Sequence, residues 1–243
     1  MTTRGAIDAN GDGVEIVADA HALARRGAEL VDGWAADDVA RAGRCRIALA
    51  GGSTPIALYR HWAAHATVAA DALELWYGDE RCVPSDHTDS NHRAAREALL
   101  DPLGVPAANV HVVDGASPDH AAAAARYASS LPERFDIVLL GMGPDAHTAS
   151  LFPGDRAALE EHERRAFHVV GSKPPPDRIT LSAPVLAGAR RVLVLAAGAG
   201  KAPAIARALD PGTRVLDAPV AIARGRGWLL DMDAASELPT HER

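Results

Sequence analysis

Apolar residues fall along the chain in short dense runs, several of them holding a single polar residue, separated by stretches where they recur every three or four positions. The runs at 14–17, 46–50, 73–77, 110–113, 136–140, 167–170, 179–181, 192–196 and 227–230 read as strands. Runs that are apolar at consecutive positions, rather than alternating, predict strands covered on both faces. Between them, Leu23, Leu30, Val31 and Trp34 share one face of a helix that Asp19 can cap. Thr54 and Pro55 open a second helix through 64, and 91–100 forms a third. Ser117 and Pro118 start an Ala-rich helix, and 201–209 forms another. This alternation predicts an α/β fold: a doubly wound, mostly parallel sheet with helices on both faces, Rossmann-like in layout. No linker or repeat interrupts it, so residues 1–243 read as a single domain. The three prolines at 174–176 make a rigid loop, and the polar end at 232–243 is expected to fray.

Composition narrows the function. With 48% hydrophobic and 23% charged residues the chain is neither disordered nor fibrous. Lys and Arg number 25 against 32 Asp and Glu, and a net charge of −7 argues against a general nucleic-acid binder. No apolar run approaches about 18 residues, so no membrane span is expected. The first eight residues lack the apolar stretch of a secretory signal, so a cytoplasmic location is expected. Cys45 and Cys82 form no CxxC and no metal spacing, which fits reduced thiols. Arginine supplies almost every cation; the only lysines are Lys173 and Lys201. A compact ammonium suits a point contact to phosphate that the wider guanidinium fork fits poorly.

Four of the strands run directly into Gly-bearing loops, at Gly51-Gly52-Ser53-Thr54, Gly78-Asp79-Glu80-Arg81, Gly141-Met142-Gly143-Pro144-Asp145-Ala146-His147 and Gly198-Ala199-Gly200-Lys201. In an open parallel sheet such loops meet at the carboxyl edge, where ligands bind. The Gly51–Gly52 turn allows close backbone approach to an anion, with Ser53 and Thr54 hydroxyls and a helix start behind it. The spacing is not that of a P-loop. Lys201 at a helix start opposes the helix dipole unless an anion lies between. His147 is a candidate general base, with Asp145, Asp79 and Glu80 all candidates to orient it. Asp79-Glu80-Arg81 reads as a solvated charge cluster or, from its place at the same sheet edge, as part of the site, and Arg178 as a rim charge or a phosphate clamp. The remaining histidines, for example His61, His65, His87, His92 and His111, show no metal-like spacing. There is no HExxH and no GxSxG, and Gly141-Met142-Gly143 lacks the rest of a dinucleotide fingerprint. The residues therefore point to a small phosphorylated metabolite and water activated by His, with no cofactor, metal or covalent nucleophile.

The same strings resemble the 6-phosphogluconolactonase family. The resemblance rests on Gly51-Gly52-Ser53-Thr54-Pro55, on Gly78-Asp79-Glu80-Arg81 with Val83-Pro84 and Asp89-Ser90-Asn91, and on Gly141-x-Gly143-x-Asp145-x-His147-Thr148-Ala149-Ser150-Leu151-Phe152-Pro153. Lys173-Pro174-Pro175 leading to Arg178-Ile179-Thr180, and Gly198 to Lys201, continue it. It implies a sugar-phosphate isomerase type of fold and hydrolysis of 6-phospho-D-glucono-1,5-lactone to 6-phospho-D-gluconate in the pentose phosphate pathway. In that reading His147 activates water, Asp145 supports it, and Asp79 and Arg81 act on substrate. Gly51, Gly52, Ser53, Thr54, Arg178, Lys201 and Lys173 hold the phosphorylated substrate. The partner is a small sugar-phosphate lactone, with no nucleic acid and no membrane, and the protein is a monomer or homodimer. The related glucosamine-6-phosphate deaminases share the Gly-Gly loop, but are expected to follow the His with a segment supplying Glu. A deaminase and a non-catalytic sugar-phosphate sensor are the rival functions. Between Asp and His the family usually has Gly, and this chain has Ala146. A left-handed backbone there would cost alanine roughly 1 kcal/mol or more.

Overall fold

Strands that are apolar on both faces need helices above and below. The computed structural model, which describes residues 5–172 and 174–239, arranges them so. In chain order it runs β1 (Gly13–Val17), α1 (Ala20–Ala42), β2 (Cys45–Leu49), α2 (Ser53–His65), β3 (Leu73–Tyr77), β4 (Asp79–Arg81) and α3 (Asn91–Ala95). A π turn at Arg96–Leu100 carries α3 into the short α4 (Asp101–Leu103). Then follow α5 (His120–Ser130), β5 (Ile137–Leu140), α6 (Arg156–Leu159), β6 (Ala166–Val170), β7 (Asp177–Leu181), α7 (Ala183–Ala187), β8 (Arg191–Ala196), α8 (Ala202–Leu209) and β9 (Gly227–Asp231).

Six strands form one parallel sheet in the order β1-β9-β8-β5-β2-β3. Strand β5 displays the double burial. Ile137 and Leu139 enter one core with Ile47, Leu49, Leu193 and the α1/α2 side chains Leu23, Val31 and Leu58. Val138 and Leu140 enter the other with Trp76, Phe135, Val194 and Trp228. At about 25 cal/mol per Å² of apolar area removed from water, two such cores are the main stabilising contribution. Helix α1 starts where Asp19 accepts the Ala22 N–H (2.8 Å) and ends at Gly43, whose φ of 75° suits glycine.

A second, antiparallel sheet, β4-β7-β6, joins the carboxyl edge of the first. The run Asp79-Glu80-Arg81 has no apolar signature, so the pattern shows a charged loop where the structure has a strand. It pairs only because β7 lies alongside, with Leu181 N–H bound to Gly78 O (2.9 Å).

Three further expectations are corrected. The segment 110–113 is no strand: it makes one bridge, Leu75 to Val110, and His111 stacks on Trp76. Helix α5 is capped by Asp119, which accepts the Ala122 N–H (2.9 Å), so it begins after Ser117 and Pro118. The polar end does not fray over 232–239: Ala234 is fully buried and its N–H binds Asp231 (2.8 Å). Among the described residues no helix is long and apolar enough to cross a membrane.

Candidate active site

The carboxyl ends of β2, β3 and β5 are neighbours in the sheet, so their Gly-bearing loops surround one cleft of about 260 Å³. That volume sits at the small end of ligand pockets and suits a metabolite rather than a dinucleotide. Gly51, Gly52, Asp79, Arg81, His147, Arg178 and Lys201 all line it.

The loop after β5 builds the Asp145–His147 pair. Gly143 N–H binds His147 O (2.9 Å) and Ala146 N–H binds Gly143 O (3.1 Å), which folds the chain back tightly. His147 Nδ1 then lies 2.6 Å from Asp145 Oδ1. Of the three candidate carboxylates, Asp145 is the one at the imidazole. Burial would raise the Asp145 carboxyl, but the charge and hydrogen bonds of His147 outweigh it and hold it below its ordinary value. The turn needs a left-handed residue, and Ala146 takes it at φ 72°, fully buried, with its carbonyl accepting from Val220 N–H (3.0 Å). Strain of roughly 1–2 kcal/mol is relieved by glycine. Glycine also loses about 0.8 kcal/mol of methyl burial and about 0.4–1 kcal/mol through the looser unfolded chain. The contributions nearly cancel, so Ala146→Gly should shift stability in urea unfolding by less than about 1 kcal/mol.

Asp79 is buried and held from two sides. Ser150 Oγ donates to its Oδ2 (2.6 Å), and Asn91 Nδ2 donates to its Oδ1 (3.2 Å) and backbone carbonyl (2.8 Å). Sequence reasoning singled out neither Ser150 nor Asn91 as a site residue. Both lie within the strings that carried the resemblance, but no spacing pattern links Ser150 to a carboxylate 71 residues away. Asn91 also explains Gly51, because a Cβ there would sit 2.1 Å from Asn91 Oδ1.

Glu80, adjacent to Asp79, points away from the chemistry. Its carboxylate accepts from Arg81 N–H (2.8 Å), Asn91 N–H (2.7 Å), His92 N–H (2.8 Å) and Ser90 Oγ (3.0 Å). It therefore straps the 82–90 loop to the start of α3. Burial pushes this carboxyl above its ordinary value, and the four donors oppose that. Glu80→Gln would place an amide NH₂ against a backbone N–H. Leaving that donor unsatisfied should cost about 1–3 kcal/mol in urea unfolding.

Arg81 and Arg178 face each other as a register pair between β4 and β7. Like charges directly opposite in a sheet repel, so the pair concentrates positive charge on this wall of the cleft. Arg81 is steadied by Asp89 O (2.6 Å). The Arg178 guanidinium lies 5.9 Å from the Phe152 ring centroid, and that ring lies 5.1 Å from His147. Burial lowers the Arg178 value, Asp79 opposes this, and Arg81 adds to it. Lys201 Nζ donates to Met142 O (2.9 Å), beside the same loop.

Some expected contacts are arranged differently. Ser53 and Thr54 line a neighbouring depression with Gly198 and Asp231, and the cleft wall is Gly51 and Gly52. At the Gly198–Lys201 turn the Gly198 N–H is taken by both Asp231 carboxylate oxygens (3.0 Å each), while Lys201 lines the cleft. Lys173 lies outside the described residues.

The chain and its fold have known counterparts. Residues 18–230 match the family described as glucosamine-6-phosphate isomerases/6-phosphogluconolactonase. The 6-phosphogluconolactonase of Nostoc sp. is 40% identical over 238 residues, covering 93% of this chain and 98% of that protein. That of Mycobacterium tuberculosis is 38% identical over 244 residues, with the same coverages of 93% and 98%. The solved structure of 6-phosphogluconolactonase from Trypanosoma brucei superposes with a TM-score of 0.81 at 31% identity, over 93% of this chain and 98% of the other. The match runs from α1 to β9 and takes in every loop of the cleft, so the chain belongs to the glucosamine-6-phosphate isomerase/6-phosphogluconolactonase family.

Proposed function

We propose that this chain is a 6-phosphogluconolactonase: it hydrolyses 6-phospho-D-glucono-1,5-lactone to 6-phospho-D-gluconate, in the oxidative branch of the pentose phosphate pathway. The observation that carries the reading is His147, 2.6 Å from Asp145, lining a cleft that Arg81, Arg178 and Lys201 also line. The relatives compared above are named for this activity.

With Nδ1 turned to Asp145, His147 presents Nε2 to substrate. Nε2 takes a proton from water as the oxygen attacks the lactone carbonyl. Charge builds on the carbonyl oxygen, and backbone N–H groups and cations of the cleft stabilise it. The ester C–O bond then breaks, and the imidazolium returns its proton to the departing ring oxygen. Arg81 and Arg178 hold the phosphate dianion, Gly51 and Gly52 let it approach the backbone, and Lys201 adds the third positive charge. Asp79, fixed by Ser150 and Asn91, orients Arg178 and the sugar hydroxyls. All of this lies within one lactonase domain.

The test is turnover of the lactone, coupled to 6-phosphogluconate dehydrogenase and read against an enzyme-free blank because the lactone opens spontaneously. Turnover far above the blank, with no ammonia from glucosamine 6-phosphate, is the expected result. A rate equal to the blank sinks the reading. Ammonia release without lactone turnover would move the chain to the deaminase branch.

A further inference from the structure

Outside the cleft, two histidines converge on one carboxylate. His168 Nε2 lies 2.8 Å from Asp177 Oδ1, and His120 Nδ1 lies 3.8 Å from the same oxygen. One ligand atom from each of the three residues falls within a 4.8 Å cluster. We propose that His120, His168 and Asp177 bind a divalent transition metal of the zinc class.

The donor set carries the chemistry. Two imidazoles and a carboxylate suit zinc, cobalt or nickel, and not the all-oxygen shells of magnesium or calcium. Bond lengths of about 2.0–2.2 Å in a tetrahedral site put ligand atoms about 3.4 Å apart. The observed 2.8 and 3.8 Å straddle that value, so small side-chain rotations complete the geometry. The rings do not stack on each other: their centroids are 5.0 Å apart and tilted by 41°. All three side chains are partly exposed, at 27%, 29% and 42%, which leaves an entry path and open positions for water.

The scaffold is rigid. In the β6–β7 pair, His168 faces Ile179 and Val170 faces Asp177, so His168 and Asp177 are diagonal neighbours on one face. Asp177 is fixed further by Cys82 N–H on its carbonyl (2.9 Å). His120 is the first residue of α5, the helix that packs on β6. A metal here ties α5 to the hairpin. Arg178 follows Asp177 and points to the opposite face, so the ion sits behind the cleft wall rather than in the reaction path.

Cobalt(II) is the probe, because its d–d absorption reports imidazole ligation without reference to activity. The parent is the full chain, without a tag, carrying His61→Ala and His65→Ala. Those two rings stack 4.3 Å apart on α2 and are a rival surface pair. One equivalent of cobalt should produce the band, and zinc should raise Tm. His120→Ala, His168→Ala and Asp177→Asn should each weaken cobalt binding at least tenfold and abolish the zinc-dependent Tm shift. His120→Gln replaces the alanine variant if that one fails to fold. No cobalt band in the parent, or binding unchanged in all three variants, overturns the proposal.

Discussion

Replacing His147 with alanine should lower kcat for lactone hydrolysis by about 10²–10⁴-fold, the usual contribution of a general base, with little change in KM. In the proposed mechanism the imidazole acts on the water and not the phosphate, so its loss removes an interaction made mainly in the transition state. Arg81, Arg178 and Lys201, the proposed phosphate ligands, remain in the cleft. An unchanged kcat in His147→Ala would assign the base to another residue while leaving the enzyme intact.

The features legible in the sequence were those with a local period. Runs such as 137–140 are apolar at successive positions because both faces of β5 are covered, and no tertiary information is needed to see it. The four glycine loops were legible for the same reason, since each follows its strand directly. What stayed hidden depends on partners distant along the chain. Strand β4 is three polar residues that become a strand only beside β7. The juxtaposition of Arg81 and Arg178, on which the proposed phosphate site rests, exists only in that register. Asp231 takes the Gly198 N–H from the end of another strand, a partner that the loop's own sequence does not show. Ser53 and Thr54 read as cleft donors from their place after two glycines. The direction in which a helix leaves its cap decides whether they face the cleft, and no residue pattern encodes that direction. The His120–His168–Asp177 cluster is the same lesson in reverse: its spacing matches no metal motif, because a helix start and a hairpin bring it together.

Gly143→Ala is the sharper test of the geometry, because it leaves every candidate chemical group in place. A Cβ at position 143 would lie 2.2 Å from His147 Nδ1 and 2.3 Å from Asp145 Oδ1, distances that real Cβ atoms essentially never show. Gly143 is not among the residues with positive φ, so alanine brings no backbone strain, only this clash. The imidazole and the carboxylate must therefore separate from each other or swing outward together. A displacement of about 1 Å at a catalytic group can cost about 10²-fold in rate. Stability should suffer far less. The Asp145 side chain is 47% exposed and that of His147 is 23% exposed, so both have room to move toward solvent. The expected signature is a kcat lowered by about two orders of magnitude with KM and the urea midpoint nearly unchanged. The double variant isolates the cause. If Gly143 acts only by placing His147, then adding Gly143→Ala to His147→Ala should reduce kcat no further, because the base it would displace is already gone. Additive losses would show instead that alanine at 143 damages the cleft by a route independent of the base, and the 2.6 Å pair would lose its claim to be the geometry on which the rate depends.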